Sequence, residues 1–329
     1  MIVDDVIWGK TEIKDKKIIQ IIKHHSMRRL KNIWISAYGY LFELKRNATR
    51  YEHCLGVYLL LNKFSASKEE QAAGLIHDVS TTALSHVSTY AIQGKYSGKE
   101  FHELQHKNFI EETGLDTLLI KLGLDAEKII ETDNFPLLEN NLPDVCADRI
   151  DYALRDGLHL QTLSKQQVTK ILKGLVVHGN EFVFNNVESA YLYSFNFYLL
   201  NLLHYGSPAE AHFNNDFGRL VNYAVKKGVL SEKDWFTDDI NLTNKLRNSK
   251  DKIVKQWLAK YNNKLIIYED TEASDETYSI KIRCVDPKVM VGKRIQRLSE
   301  ISPDYKRLID TYKKQHQKHE LLVRVKYRK

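Results

Sequence analysis

The pattern of apolar and polar positions divides the chain into a long helical part and a shorter part of mixed structure. Residues 12–200 mostly show helical spacing among good helix formers, as in EHCLGVYLLLNKF and KEEQAAGLIHDV. The segment LPDVCADRIDYALRDGL predicts another helix, which opens near Pro143 and ends at Gly157. We expect helices again from Glu188 to about Leu230.

Patterns typical of strands are fewer and lie mostly near the C-terminus. GLVVHGNEFVFNN predicts a β-hairpin near residues 174–185, with its turn at Gly179-Asn180. NKLIIYED, which we expect at a sheet edge, YSIKIRCVD and LLVRVKY are rich in β-branched and aromatic residues and predict strands. The expected fold is therefore mainly α, with a helical domain over residues 1–245 and a small α+β section over residues 246–329.

Length and composition are those of a soluble globular chain. The 329 residues are 43% hydrophobic and 28% charged, which is enough apolar content for a core. No apolar run approaches the roughly 18 residues that a membrane span needs, and the start MIVDDVIWGK is not typical of a signal peptide. Cys54, Cys146 and Cys284 are widely spaced and odd in number, which argues against a disulfide framework and favours the cytoplasm.

The positive charge of the chain is concentrated in a C-terminal basic tail. Residues 306–329 hold nine Lys or Arg and two acidic residues, an excess equal to the net charge of +7 for the whole chain. Such a tail can bind nucleic acid, with phosphates meeting the charge and bases stacking on Tyr305, Tyr312 and Tyr327. It equally fits an amphipathic helix followed by a strand, which is the interpretation we favour.

Four residues in apolar helical surroundings are candidates for a metal site: His53, His77, Asp78 and Asp148. Imidazole and carboxylate ligands suit divalent metals of the first transition row. Two His and two Asp leave coordination positions open for water and a phosphate oxygen, as metal-assisted hydrolysis requires. Spacing alone is weak evidence, because a histidine in a helix is usually structural.

Four motifs that occur in a fixed order strengthen the prediction of a metal site at these positions. TRYEHCLGV, LIHDVSTTALSH, FHELQH and ADRIDYALRDGL together resemble the HD-superfamily phosphohydrolases, in particular the branch of deoxynucleoside triphosphate triphosphohydrolases. Similarity in VVHGNEFVF, VKKGVLSEKDW, TDDINLTNKL, VDPKV and RLSEISPDY extends the resemblance over roughly residues 20–305. It implies an HD-domain helical core, a cytoplasmic homo-oligomer, and a metal-dependent hydrolase of a nucleotide or related phosphate ester.

The resemblance also implies roles for individual residues. His53, His77, Asp78 and Asp148 match the ligands of one divalent transition metal (Mn, Fe, Ni, Co or Zn), with Mg accompanying the substrate phosphates as a further option. The alternative is a dinuclear site that adds His102 and His106, one helical turn apart. Arg50 and Arg149 match phosphate-binding positions. Tyr152 and Asp156 match positions that meet the sugar, and they share a helix face with Asp148.

The chain departs from the family pattern where acid–base chemistry is expected. Thr81 stands at the position of a candidate catalytic His, Thr82 and Ala83 replace Gly and Pro, and Thr89 replaces an acidic residue. A threonine hydroxyl cannot supply a proton near pH 7. The remaining candidates for proton donation are His102, oriented by Glu103, and His86.

A further departure and two rival functions follow from the same comparison. Ile35 replaces the family Gln that helps to read the sugar, which leaves deoxynucleotide selectivity open. One rival is a catalytically weak nucleotide sensor on the same fold. The other is a nucleic-acid-binding phosphodiesterase that uses the basic tail.

Overall fold

The protein is described by a computed structural model, which covers residues 1–42, 48–92, 100–262, 264–279, 283–316 and 320–328. Its α-helices are α1 Lys16–Lys23, α2 His25–Arg29, α3 Ala37–Leu41, α4 Arg50–Lys63, α5 Lys68–Ile76, α6 Val87–Ala91, α7 Phe101–Glu112, α8 Leu115–Lys121, α9 Ala126–Ile130, α10 Ala147–His159, α11 Lys165–Gly174, α12 Val187–Leu200, α13 Pro208–Lys226, α14 Asp239–Arg247, α15 Lys252–Ala259, α16 Leu298–Ile301 and α17 Pro303–Gln315. A π-helical turn, Asn201–Tyr205, follows α12. The expectation of a mainly α protein with a small α+β section is confirmed.

The strands form three small sheets. They are β1 Ile2–Asp5, β2 Gly9–Glu12, β3 Leu175–His178, β4 Glu181–Phe184, β5 Leu265–Glu269, β6 Glu276–Ser279, β7 Lys288–Val291, β8 Arg294–Arg297 and β9 Glu320–Tyr327. β1 pairs with β2, the order β3-β4-β7-β8 forms the second sheet, and β5-β9-β6 forms the third. All these pairings are antiparallel except the parallel contact of β4 with β7.

The helices that carry the motifs begin at capping residues. Thr49 accepts a hydrogen bond from the N–H of Glu52, whose side chain accepts from Thr49 in return, so a capping box starts α4. Ser67 caps α5 in the same position. Because α4 packs on both α5 and α10, the first turn of α4, the end of α5 and the start of α10 meet at one place.

Several predicted elements are confirmed and two need correction. The hairpin β3–β4 turns at Gly179, whose φ of +60° favours glycine, and β5 is an edge strand as expected. α10 begins at Ala147, later than predicted from Pro143, and continues to His159. The late start has a physical reason: the carbonyls of Asn140 and Asp144 bond to the Arg149 side chain and hold residues 140–144 outside the helix.

Some features were not predicted or lie outside the description. The N-terminal hairpin β1–β2 was missed, since neither of its four-residue strands, IVDD and GKTE, alternates apolar and polar residues. Part of the predicted strand YSIKIRCVD, residues 280–282, lies outside the described residues, while its start forms β6. α14 runs across the proposed boundary at residue 245, and the division into two domains stays a prediction. Among the described residues, no helix has the length and apolar content to span a bilayer.

Candidate metal centre and active site

The four proposed metal ligands converge. The Nε2 atom of His53 lies 2.8 Å from Oδ1 of Asp148 and 3.2 Å from Nε2 of His77. The Asp78 Oδ2 atom is 3.9 Å from Nε2 of His53 and 3.8 Å from Nε2 of His77. These residues come from α4, the end of α5 and α10, so the fold brings together side chains that are up to 95 residues apart in the chain.

Hydrogen bonds on the far side of each ring fix the tautomers of the two histidines. Nδ1 of His53 is 2.8 Å from a carboxylate oxygen of Asp151, and Nδ1 of His77 is 2.8 Å from the carbonyl of Gly74. Both partners are acceptors, so Nδ1 carries the proton and the Nε2 lone pairs face each other and Asp148. Such a set of facing lone pairs is repulsive until a cation lies between them. The donor set therefore fits a divalent transition metal.

The electrostatics of His53 lead to the same conclusion. Burial lowers the pKa of His53, but its hydrogen bonds with Asp148 and Asp151 outweigh burial and raise that pKa to about 10. The same histidines hold the pKa of Asp148 well below its usual range, although burial opposes this shift. The centre therefore stabilises positive charge between the ligand atoms, whether a proton or a metal ion supplies it.

A buried chain of alternating charges lies behind His53, and the sequence analysis assigned it no role. Asp151 accepts from His53 and from Nε and Nη2 of Arg155, both at 2.9 Å. Arg155 continues to Asp5 of β1, with an Nη1–Oδ2 distance of 2.9 Å. Gly56 of α4 makes room for this chain, because a Cβ there would lie 2.0 Å from Oδ1 of Asp151. The signal in the sequence was an Asp and an Arg at positions i and i+4 of the same helix, where opposite charges can pair.

Arg50 lies against the metal centre but is already engaged. Its Nη1 donates to Oδ2 of Asp78 over 2.7 Å, and its Nε donates to the Ser85 hydroxyl over 3.2 Å. Its Nη2 is 3.2 Å from Nε2 of His86. Arg50 is only 7% exposed, so little of its guanidinium is open to a substrate in this arrangement.

Arg149 has a different environment from the one that its proposed phosphate role suggests. Its Nη1 donates to the carbonyls of Asn140 and Asp144 over 3.1 and 2.8 Å, and lies 3.3 Å from the Cys146 sulfur. Its Nη2 donates to the Asn140 carbonyl as well. As placed, Arg149 holds the segment that leads into α10.

The proposed sugar-contacting residues line one side of α10, next to the ligands. The Tyr152 ring centroid is 6.5 Å from that of His53 and 5.7 Å from that of Tyr205, edge on. Asp156 accepts a hydrogen bond from the Tyr205 hydroxyl over 2.7 Å. Tyr205, at the end of the π-helical turn, was not singled out in the sequence, because only the fold brings it to α10. At the position of the missing family Gln, the main chain of Ile35 bonds to Ala48.

The proposed proton donors, His86 and His102, lie next to each other, and His86 contacts Arg50. Nδ1 of His86 is 2.6 Å from Oε2 of Glu100, and His102 lies 3.5 Å from the same oxygen. Glu103 accepts a hydrogen bond from the N–H of Glu100 and so helps to cap α7. Burial, the main cause, lowers the pKa of His102 to about 4. The carboxylate nearest to both rings is therefore Glu100, which the sequence analysis did not name.

The loop between Asp78 and His86 is held by bonds from several elements. The Thr81 hydroxyl donates to Oδ1 of Asp78 over 3.1 Å, so the residue in place of the family His supports a metal ligand. Arg29 donates to the carbonyls of Val79 and Thr81 over 2.8 and 2.7 Å. These hydrogen bonds from Arg29 of α2 therefore hold the loop next to the metal ligands.

A second group of potential ligands borders the first. Among the described residues, one donor atom each from Glu139, Cys146 and Asp148 lies within 4.8 Å of the others, and neither this group nor the first includes His102 or His106. Burial and the nearby Asp148 charge raise the pKa of Glu139 to about 8, and burial raises the pKa of the Cys146 thiol. The protonated forms of both groups are poor metal ligands.

The basic tail is built into the fold as a helix and a strand. α17 and β9 are the amphipathic helix and strand that we favoured. The rings of Tyr305 and Tyr312 are buried, and the Tyr305 hydroxyl bonds to the Val285 carbonyl. Two of the three rings considered for base stacking are therefore occupied by packing. Lys318 and Lys329 of this tail lie outside the described residues.

Comparisons with known proteins agree with this geometry. No protein-family model matches the chain. The uncharacterized protein YdhJ of Bacillus subtilis is 29% identical over 309 residues, which are 94% of each chain. The metal-dependent phosphohydrolase cns2 of Cordyceps militaris is 25% identical over 88% of this chain and 85% of its own length. A phosphohydrolase crystal structure from Bacteroides thetaiotaomicron has a TM-score of 0.67 at 16% identity, over 92% of this chain and 94% of that one.

This chain shares the fold of that structure. The similarity to cns2 extends over most of both chains. The comparisons do not single out the triphosphohydrolase branch that the motifs resemble.

Proposed function

We propose that the protein is a metal-dependent phosphohydrolase that acts on a nucleotide or a related phosphate ester. The observation that carries the proposal is the pair of histidine Nε2 lone pairs, fixed by their Nδ1 hydrogen bonds, that face Asp148 and Asp78. The similarity to cns2 over most of both chains supports the same reaction class. A bound divalent metal supplies charge to polarise a phosphoryl oxygen and to acidify a water.

Residues of the chain are proposed to bind the substrate and to shape the site. Arg50 is proposed to bind the substrate phosphate, because its guanidinium lies beside Asp78 at the ligand cluster. Tyr152 and Asp156 are proposed to bind the organic part of the substrate, since they line the adjacent side of α10. Arg149 is proposed to act mainly by shaping the segment before α10, because its N–H groups already meet main-chain carbonyls.

The experiment is a hydrolysis panel with the metal-loaded protein. The panel contains deoxynucleoside and ribonucleoside triphosphates, the matching monophosphates, and a short single-stranded oligonucleotide. Release of inorganic triphosphate would identify the triphosphohydrolase reaction, and release of phosphate would identify a phosphomonoesterase. The Asp148→Ala variant is the control for contaminating phosphatases. A metal-loaded protein that hydrolyses no member of the panel would contradict the proposal.

A catalytically weak nucleotide sensor is the second candidate, and Thr81 favours it. This hydroxyl replaces an imidazole and is used to support Asp78. A sensor would bind a nucleotide with no turnover, which calorimetry combined with the panel would reveal. The assembly into a homo-oligomer is proposed from the family resemblance alone, and light scattering of the purified protein would test it.

A further inference from the structure

His86 is held by two charged neighbours in a way that fixes its protons. An arginine N–H can only donate, so the 3.2 Å contact with Arg50 makes Nε2 of His86 an acceptor. The 2.6 Å contact with Glu100 then requires the proton on Nδ1. The His86 side chain is 40% exposed, whereas that of Glu100 is 19% exposed. A partly buried carboxylate thus contacts Nδ1 of the ring, whereas Nε2, on the other side of the ring, faces the arginine proposed to bind phosphate.

The backbone that leads to His86 is strained and held in place from outside. Leu84 and Ser85 have φ values of +61° and +49°, a left-handed conformation that is unfavourable for residues other than glycine. The Leu84 N–H donates to Asp239 over 2.6 Å, and the Ser85 hydroxyl donates to the Trp34 carbonyl over 2.6 Å. These contacts hold two residues in an unfavourable backbone conformation directly before His86. The fold therefore fixes the position of the His86 ring at a cost in conformational free energy.

Thr89, which stands where the family pattern has an acid, ties the segment of Glu100 to α6, the helix that follows His86. The Thr89 hydroxyl oxygen accepts a hydrogen bond from the N–H of Phe101 over 3.3 Å. This contact ties the start of α7 to α6 and sets Glu100 beside the ring of His86. His86 also holds the pKa of Glu100 well below its usual range, against the effect of burial. The carboxylate is therefore ionised whenever the imidazole needs a counter-charge.

We propose that Glu100 is the positioning residue of His86, a role that rests on the proposed phosphohydrolase function, in which His86 is a candidate to donate a proton to the leaving oxygen. In the reaction, a bond forms between water oxygen and phosphorus, and the ester bond from phosphorus to the leaving oxygen breaks. The substrate phosphate draws Arg50 away from Nε2 of His86, which then takes up a proton from the solvent, so that the ring carries a positive charge beside Glu100. The leaving oxygen takes this Nε2 proton, the ring returns to its neutral form with the proton on Nδ1, and the proton released by the attacking water goes to the solvent.

The neighbouring histidine is less suited to this role. Nδ1 of His102 has no hydrogen-bond partner among the described residues, and its pKa of about 4 keeps the ring neutral near pH 7. Among the described residues, the charged or titratable groups that face His86 are Arg50 from α4, Glu100 at the N-cap of α7 and His102 from α7. Of these, only Glu100 can stabilise a positive charge on the ring.

The test compares Glu100→Gln with Glu112→Gln, a variant at the exposed end of the same helix. Glu100→Gln should lower kcat by about 10- to 100-fold with little change in KM, as the loss of a supporting partner usually does. The high-pH limb of the kcat profile should also move to lower pH, because the charged ring loses its counter-charge. Glu100→Asp should recover part of the rate. Glu112→Gln should match the wild type in all three measurements.

Two further measurements separate this role from folding and from the proposed function. Melting temperature and metal content show whether Glu100→Gln is folded, since Glu100 also takes part in the cap of α7. The Nδ1 proton of His86 should give a downfield NMR signal that moves upfield in Glu100→Gln and stays in Glu112→Gln, whether or not the protein is active. A wild type without hydrolysis that keeps this signal would refute the function but support the pair. A folded Glu100→Gln with wild-type kcat, pH profile and NMR signal would overturn the inference.

Discussion

Arg155 of α10 bonds to Asp5 of β1, with 2.9 Å between Nη1 and Oδ2, and thereby ties the first strand of the chain to the metal centre. Arg155 is 1% exposed and its other N–H groups meet Asp151, which holds His53. Each charge in this chain faces an opposite one, which is the condition for burying them. The N-terminal hairpin is therefore a support of the candidate metal centre.

The variant Asp5→Asn should destabilise the protein by about 3 kcal/mol, because the buried Arg155 then shares its remaining carboxylate partner, Asp151, with His53. Asp4→Asn is the matched control, since Asp4 is the exposed neighbour on the same strand, and surface changes stay within about 0.5 kcal/mol. Urea unfolding of both variants checks the difference. Equal stability of the two would show that the Asp5–Arg155 pair contributes nothing.

The sequence allowed the ligands of the candidate metal centre to be proposed, but not the residues that hold them. His53, His77 and Asp78 occur in motifs with local order, so a resemblance can carry them. Asp5 and Glu100 lie outside the motifs of the side chains that they contact, Arg155 and His86, and no periodicity relates the two members of either pair. Their contacts depend on how α4, α7, α10 and β1 pack, which a pattern of apolar positions does not determine.

The early helices and the hairpin β3–β4 follow from local signals, namely apolar spacing, caps and a glycine turn. The start of α10 does not, because Pro143 is typical of a first helical turn. The tertiary contacts of Arg149 with the carbonyls before α10 decide the start instead. The local preference for a helix start at Pro143 is thus overridden by the hydrogen bonds of the partly buried Arg149.

Replacement of Thr81 by Val should weaken metal binding by about tenfold, at the lower end of what supporting residues contribute. Valine keeps the shape of this fully buried residue but removes the donor to Oδ1 of Asp78. Competition with a chelator measures the affinity, and Thr169→Val on the exposed face of α11 is the control. An unchanged affinity would show that the Thr81 hydroxyl does not support Asp78.

Thr81→His, which would restore the imidazole of the family pattern, should not simply raise the rate. Thr81 is 0% exposed, and a larger side chain in a packed site usually costs about 1–3 kcal/mol. We expect a lower melting temperature for this variant than for Thr81→Val. A variant with wild-type stability and faster hydrolysis would contradict this expectation and show room for the ring.

The free energy of unfolding of the protein should decrease as the pH falls, in part because of His106. Burial, followed by the neighbouring His77 and His102, lowers the pKa of His106 from 6.5 to about 4. Between these two values the unfolded chain takes up a proton that the folded protein does not, so stability decreases as the pH falls through this window. One pKa unit corresponds to about 1.4 kcal/mol.

Between pH 7 and pH 5, the free energy of unfolding of His106→Asn should therefore decrease by about 2 kcal/mol less than that of the wild type. The Asn side chain can still donate a hydrogen bond to Ser80. Urea unfolding at the two pH values measures this difference. His178→Asn at the exposed end of β3 is the control and should keep the wild-type pH dependence. A wild-type dependence in His106→Asn would show that His106 is not the buried neutral group.

The purified protein should carry about one transition metal per chain, and Asp148→Ala should carry none, because this carboxylate faces both histidine Nε2 atoms. Elemental analysis gives the count, and Asp133→Ala, an exposed acid ahead of α10, should keep one metal. Glu139→Ala should also keep one, since the second group of ligands holds protonated forms near neutral pH. Two metals in the wild type and one in Glu139→Ala would instead favour a dinuclear centre bridged by Asp148. Full occupancy in Asp148→Ala would remove Asp148 from the ligand set.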